Sequence, residues 1–228
     1  MKKVIAFSLW GNIPKYTLGA IENAKLAKKI YPDWTARFYV GETTNSAIIE
    51  ELKNEGGEVI LMHVVDEWSG LFWRFNTLED PTIDIAIFRD TDSRLSKREK
   101  LAVDDWIQSS YTFHIMRDHP YHGYAILGGM WGVKKVNVKN LQESMIYYTW
   151  LNKYGADQSY LKDVIFPRMK NNVLVHDEFY EGVPFPAPRD GLEFVGDVFD
   201  EFNQPDPLFL ELLDQYLKGI PVPLTKFF

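Results

Sequence analysis

The chain has 228 residues, 46% hydrophobic and 15% aromatic, a formal net charge of −7 and no cysteine. That length suits one sizeable domain with its own core, and the apolar content excludes a disordered chain. The acidic balance argues against a nucleic-acid or anionic-membrane binder, while the lack of cysteine removes disulfides, thiolate catalysis and cysteine-ligated zinc and suits a reducing, cytoplasmic setting.

Met1-Lys2-Lys3 precedes an apolar stretch that soon meets Ser8, Gly11 and Asn12. It is too short for a signal peptide, and far short of the roughly 20 residues of a membrane span, so it reads as a first strand, Val4–Leu9. A helix is expected over Pro14–Ile30, a strand over Ala36–Gly41, a helix over Asn45–Asn54 and a strand over Glu58–Met62. This alternation predicts βαβ units and a mainly parallel sheet. A helical segment over Glu67–Leu78 leads into the apolar run Ile83–Phe88, a strand buried on both faces. Ser96 and Glu99 then form a capping box for a helix that includes Ala102, Val103, Trp106 and Ile107. Strands are expected over Thr112–Met116, over the glycine-interrupted Ala125–Val133 and over Asn172–His176, with helices over Leu141–Lys153, Asp157–Met169 and Leu208–Leu217. Residues 1–203 form the expected domain, and 204–228 a tail that packs on it or leads to a further one.

Asp90-Thr91-Asp92 follows the run Ile83–Phe88 directly. On extended backbone, carboxylates at i and i+2 point the same way, and the carboxyl ends of strands in an open α/β sheet are where ligands bind. Two hard oxygen donors there suit Mg²⁺ or Mn²⁺, which in turn would hold a diphosphate. The bland alternative is a turn or a helix cap, but Ser96 already supplies the cap. A calcium loop starting at Asp90 would need Gly and Glu where Leu95 and Leu101 stand. A haloacid-dehalogenase phosphatase would carry its motif after the first strand, with Thr or Val where Arg94 stands.

Phe88–Arg94, His114–His122, Leu127–Gly132, Gly155–Gln158 and Val175–Asp177 together resemble glycosyltransferases of the GT-A type, close to a bacterial and large-virus group, over roughly residues 4–203. The resemblance implies a Rossmann-like α/β fold with a mainly parallel sheet flanked by helices and a short C-terminal extension. It also implies a nucleotide-sugar donor, UDP-linked by preference, and transfer to a hydroxyl of a glycan or lipid-linked acceptor with Mn²⁺ or Mg²⁺. Residue by residue, it gives Asp92 as a metal ligand, Asp90 as a contact to metal or ribose, and His176 as a further ligand. Ser8, Leu9, Trp10 and Gly11 match the region that cradles the nucleobase and ribose, although Trp10 could equally belong to the core. Gly128-Gly129 matches a close approach of backbone to sugar, or a simple bulge. Asp157, the candidate base, and Gln158 match the position facing the reacting sugar, where Asp157 could also cap a helix.

Arg74 and Arg94 flank the aspartates as cations for a departing diphosphate, against the commoner fate of surface ion pairs. Two rivals stand beside this reading. A sugar nucleotidyltransferase would show a glycine-rich loop with Arg and Lys after the first strand, whereas Leu9–Pro14 has one glycine and no arginine. A non-catalytic glycan-binding domain of a larger protein would have no need of the acidic pair.

Overall fold

Runs of β-branched and aromatic residues form the largely buried strands β1 (Lys3–Leu9) and β2 (Thr35–Gly41), the half-exposed edge strand β3 (Glu58–Met62) and the buried strand β4 (Ile85–Phe88). The computed structural model describes residues 1–63, 67–134, 141–169 and 171–222. Helix α1 (Pro14–Ile30) starts at a proline, whose fixed φ and missing N–H suit a first turn. Helix α2 (Ser46–Asn54) is capped by Asn45, whose side chain accepts from the Ala47 amide. A 3₁₀ segment (Trp68–Glu79) crosses over to β4.

Helix α3 (Lys97–Gln108) begins where Ser96 Oγ accepts the Glu99 N–H at 3.1 Å, one half of the expected capping box. The other half is replaced, because Glu99 Oε1 instead takes Arg89 Nε at 2.9 Å and Tyr31 OH at 2.8 Å. Then come β5 (Phe113–Arg117), β6 (Trp131–Lys134), α4 (Leu141–Trp150), α5 (Ala156–Tyr160), β7 (Val173–Asp177) and α6 (Pro207–Leu217).

The seven strands form one sheet in the order β3-β2-β1-β4-β6-β5-β7. Neighbours run parallel except that β6 is antiparallel to both β4 and β5. This is the α/β class expected, with a mainly parallel sheet flanked by helices. One face carries Phe75, Phe88, Trp131 and Tyr160, the other Phe7, Phe38, Ile87 and Trp106. The Phe88 and Trp131 rings stack 4.3 Å apart, a contact worth about 1 kcal/mol beyond its buried area.

Three expectations change. Ala125–Val133 is a strand only over its last residues, because the chain at Gly128 and Gly129 turns aside to pass two carboxylates. The helix expected over Asp157–Met169 breaks after α5 into a π turn (Leu161–Ile165) and a 3₁₀ turn (Phe166–Met169) that holds Pro167, which has no N–H to continue an α-helix. The helix expected over Leu141–Lys153 stops at Trp150, and Asn152 takes a φ of 39°.

After β7 the chain returns to the 91–93 turn, where the Phe199 N–H donates to the Asp92 carbonyl at 2.8 Å. Helix α6 places the Phe209 carbonyl 3.0 Å from His119 Nε2. The end of the expected tail, 223–228, lies outside the described residues. No helix among the described residues is long and apolar enough to cross a membrane.

Candidate active site

From β1 the sheet extends through β2 to β3 in one direction, and then β4 adds on the other side of β1. The carboxyl ends of β1 and β4 therefore flank a topological switch point, the crevice where open α/β sheets bind ligands. Ser8 lies on β1, and its Oγ accepts the backbone N–H of Arg74 at 3.0 Å, which fastens the 3₁₀ segment to that strand. Arg74 is 3% exposed. Its Nη1 donates to the Arg89 carbonyl at 3.1 Å and to the Asp90 carboxylate, and its Nη2 donates to Asp157 Oδ2 at 3.1 Å. One buried guanidinium thus joins the residue after β4 to the first turn of α5.

Gly128 and Gly129 press against the same two carboxylates. A Cβ on Gly128 would meet Arg74 Nη2 and Asp157 Oδ2, each at 2.7 Å, and one on Gly129 would stand 2.0 Å from Asp90 Oδ2. Asp157 does not cap α5. That place is held by Gly155 at a φ of 76°, and no side chain bonds the helix start. Burial raises the Asp157 pKa, with Asp90 adding to the effect and Arg74 opposing it.

Asp92 points to a different cation. Thr91 and Asp92 form a turn, so the two aspartates do not share one extended run, and Asp92 Oδ2 lies 3.1 Å from Lys15 Nζ at the start of α1. Burial and the charge of Asp90 push the Asp92 pKa up against the pull of Lys15. Two like-charged carboxylates within electrostatic reach of each other fit a hard divalent ion. Among the described residues no three His, Asp or Glu side chains are placed to share one. Mg²⁺ and Mn²⁺ accept one or two carboxylates completed by phosphate oxygens and water, and that coordination is the one Asp90 and Asp92 suit.

The remaining expected residues divide. Trp10 stands over Gly70, where an added Cβ would be 2.7 Å from its ring, and meets Trp73 edge to face at 5.9 Å. Gly11 adopts a φ of 68°, the left-handed conformation that glycine tolerates, and its N–H donates to Thr43 Oγ1 at 3.1 Å. Leu9, expected beside a nucleotide, has its side chain in the core with Phe7 and Val40. Gln158 adjoins the cluster, and its Oε1 is buried without a hydrogen-bond partner among the described residues.

Arg94, expected as a cation for the diphosphate, stays against the turn of the aspartates, donating to the Thr91 carbonyl at 3.3 Å within charge range of Asp92, and has further partners. It donates to the Ser93 carbonyl at 2.9 Å and to Asn203 Oδ1 at 2.8 Å, and stacks 4.9 Å from the Phe199 ring, tying down the C-terminal segment. His176, expected as a metal ligand, is not brought to Asp90 and Asp92. Three strand spacings, about 14 Å, separate β7 from β4 within the sheet. The His176 Nδ1 is 2.8 Å from His114 Nε2, and its Nε2 is 3.3 Å from Asp105 on α3.

Sequence reasoning missed Lys15 and Tyr154. Lys15 follows Pro14 directly at the helix that leaves the switch strand, a position that signals proximity but names no partner. Tyr154 lies within charge range of Asp157, Asp90 and Asp92 and packs edge to face on Trp68 at 5.4 Å.

No protein-family model and no curated protein matches the chain. Solved structures resemble it at low identity. One is a glycosyltransferase involved in the glycosylation of the major capsid of PBCV-1, at 18% identity, covering 78% of this chain and 82% of that one, TM-score 0.46. Another is glucosyl-3-phosphoglycerate synthase from Mycobacterium tuberculosis in complex with Mn²⁺, UDP and phosphoglyceric acid, at 12% identity, covering 83% and 71%, TM-score 0.48. A third is a putative glucose-1-phosphate thymidylyltransferase from Bacillus anthracis, at 10% identity, covering 78% and 87%, TM-score 0.49. The likeness is one of general α/β arrangement and assigns no chemistry.

Proposed function

We propose that this chain is a glycosyltransferase that takes a sugar from a nucleotide donor, UDP-linked by preference, and passes it to a hydroxyl of a glycan or lipid-linked acceptor. The observation that carries the reading is the clamp at the switch point: buried Arg74 holds Asp90 and Asp157 together, and the backbone at Gly128 and Gly129 packs directly against both carboxylates and fixes them in place. A fixed cation inside a buried site stabilises charge as it develops and needs no reorganisation at the moment of reaction.

Asp90 and Asp92 would hold Mn²⁺ or Mg²⁺, which when bound neutralises the diphosphate of the leaving nucleotide. Arg74 keeps Asp90 in place for that task and adds its own charge from below. Asp157, with its pKa raised by burial, is a better proton acceptor than an ordinary aspartate at neutral pH, and it is held beside Asp90 by their shared partner Arg74. In an inverting reaction it would take the proton of the acceptor hydroxyl. In a retaining one it would steady the sugar as the bond to phosphate breaks.

The test is release of nucleoside diphosphate from a panel of nucleotide sugars, with Mn²⁺ and with EDTA, against simple glycoside acceptors. Sugar transfer that needs the metal supports the reading. Condensation of a nucleoside triphosphate with a sugar 1-phosphate, without sugar transfer, would replace it with nucleotidyl transfer.

A further inference from the structure

Asp92, one of the two carboxylates suited to a metal, already has a cation of its own. Lys15 Nζ lies 3.1 Å from its Oδ2, and the Lys15 and Asp92 side chains are 33% and 18% exposed. The lysine sits in the first turn of α1, whose N-terminus has no side-chain cap and follows β1 at the switch point. The ammonium thus reaches the Asp92 carboxylate from the start of the helix that leaves the switch strand. Nζ also stands 4.7 Å from the Tyr16 ring, a second resting contact that keeps the side chain at the crevice.

Around the crevice Asp90, Asp92 and Asp157 face the cations Arg74 and Lys15, with Arg94 also within charge range of Asp92. Arg74 is locked by four hydrogen bonds' worth of geometry, including its own backbone N–H on Ser8 and its Nη1 on the Arg89 carbonyl. Lys15 is not locked in this way. It is a flexible ammonium at the edge of the site, bonded to one carboxylate, and it can leave when a stronger cation takes that carboxylate.

We propose that Lys15 is an exchangeable counter-ion that couples metal binding to diphosphate binding: it occupies Asp92 until a divalent ion arrives, and then turns to the nucleotide's diphosphate. This deepens the glycosyltransferase reading and rests on it. The metal alone must displace an ammonium and leave that charge without a partner. With a nucleoside diphosphate present, the released ammonium gains phosphate oxygens, so each ligand binds better in the presence of the other, by the same factor in both directions.

Titration of Mn²⁺ into the protein, with free Mn²⁺ read by electron paramagnetic resonance, tests this with and without UDP. In the wild type, UDP should raise Mn²⁺ affinity by about tenfold or more. Lys15→Gln should bind Mn²⁺ alone about threefold to tenfold more tightly, as expected for removing a competing ion pair of this exposure, and the enhancement by UDP should shrink by a similar factor. Lys15→Arg, which keeps the charge, should retain the coupling. Mn²⁺ binding to Lys15→Gln that is no tighter than wild type, coupling that survives the substitution, or no Mn²⁺ binding to either protein would each overturn the proposal. Failure of the glycosyltransferase reading shows separately, as a wild-type protein with coupled Mn²⁺ and UDP binding that transfers sugar from no donor.

Discussion

Gly129 passes so close to Asp90 that a single added Cβ would lie 2.0 Å from the carboxylate Oδ2 and 3.0 Å from the Asp90 amide. Residue 129 has no room for a methyl group unless Asp90 moves. Gly129→Ala should therefore displace Asp90 and lower turnover by about 10²-fold, the usual effect of an ångström-scale misplacement of a catalytic group. The measurement is kcat/KM beside the unfolding midpoint in urea, and a variant with wild-type turnover would detach Asp90 from the reaction.

Arg74 is buried against Asp157, whose side chain is 6% exposed, and also pairs with the half-exposed Asp90, so its removal leaves the Asp157 charge buried without this partner. Arg74→Ala should cost about 3–5 kcal/mol of stability, the usual effect of breaking a buried ion pair from one side. Arg74→Lys should fall short of rescue, since one ammonium cannot reach in two directions as the planar guanidinium does. Urea unfolding curves of the two variants check both statements.

Asp157→Asn should reduce turnover by about 10²-fold or more, on the scale of losing a general base, while leaving UDP affinity near the wild-type value. The substitution keeps an acceptor for Arg74 but removes its charge. A folded variant with unchanged turnover would leave Asp157 as a partner of Arg74 alone.

A prediction away from the site concerns Asp197, which is 5% exposed, with Oδ1 buried and unpartnered among the described residues. Burial pushes its pKa up to about 7. In the unfolded chain the group titrates near 3.9, so the folded protein binds the extra proton between about pH 4 and 7. Its contribution to stability is greatest below pH 4, falls as pH rises through that window and stays lost above it. Asp197→Asn should therefore melt at a higher temperature than wild type at pH 8, with the advantage gone at pH 4. An equal difference at both pH values would contradict this.

Much of the first half of the fold could be read from residues. The apolar run at Val4–Leu9, Pro14 and Asn45 near helix starts, Ser96 as a cap and the run ending at Phe88 are local signals, and each corresponds to an element of the structure. Arg74, Asp90, Asp157, Gly128 and Gly129, named from separate stretches of sequence, meet in one cluster. Strand order could not be read in the same way. Nothing local to Val173–Asp177 shows that β6 and β5 insert between β4 and β7, and this insertion is what carries His176 away to His114 and Asp105. The further partners of Arg94, Asn203 and Phe199, were hidden for a similar reason, since they are more than a hundred residues further along the chain. Lys15 gave no sign of Asp92, because an ion pair between elements leaves no periodicity in either.

The account depends on Asp90 and Asp92 acting with a divalent ion on a nucleoside diphosphate, and calorimetric titration of UDP into wild type and Asp92→Asn, each with Mn²⁺ and with EDTA, tests it most directly. UDP should bind the wild type in Mn²⁺ and lose at least tenfold in affinity both in EDTA and on substitution of Asp92, because the diphosphate then faces carboxylates with no metal between them. UDP affinity that is the same in all four titrations would contradict the account.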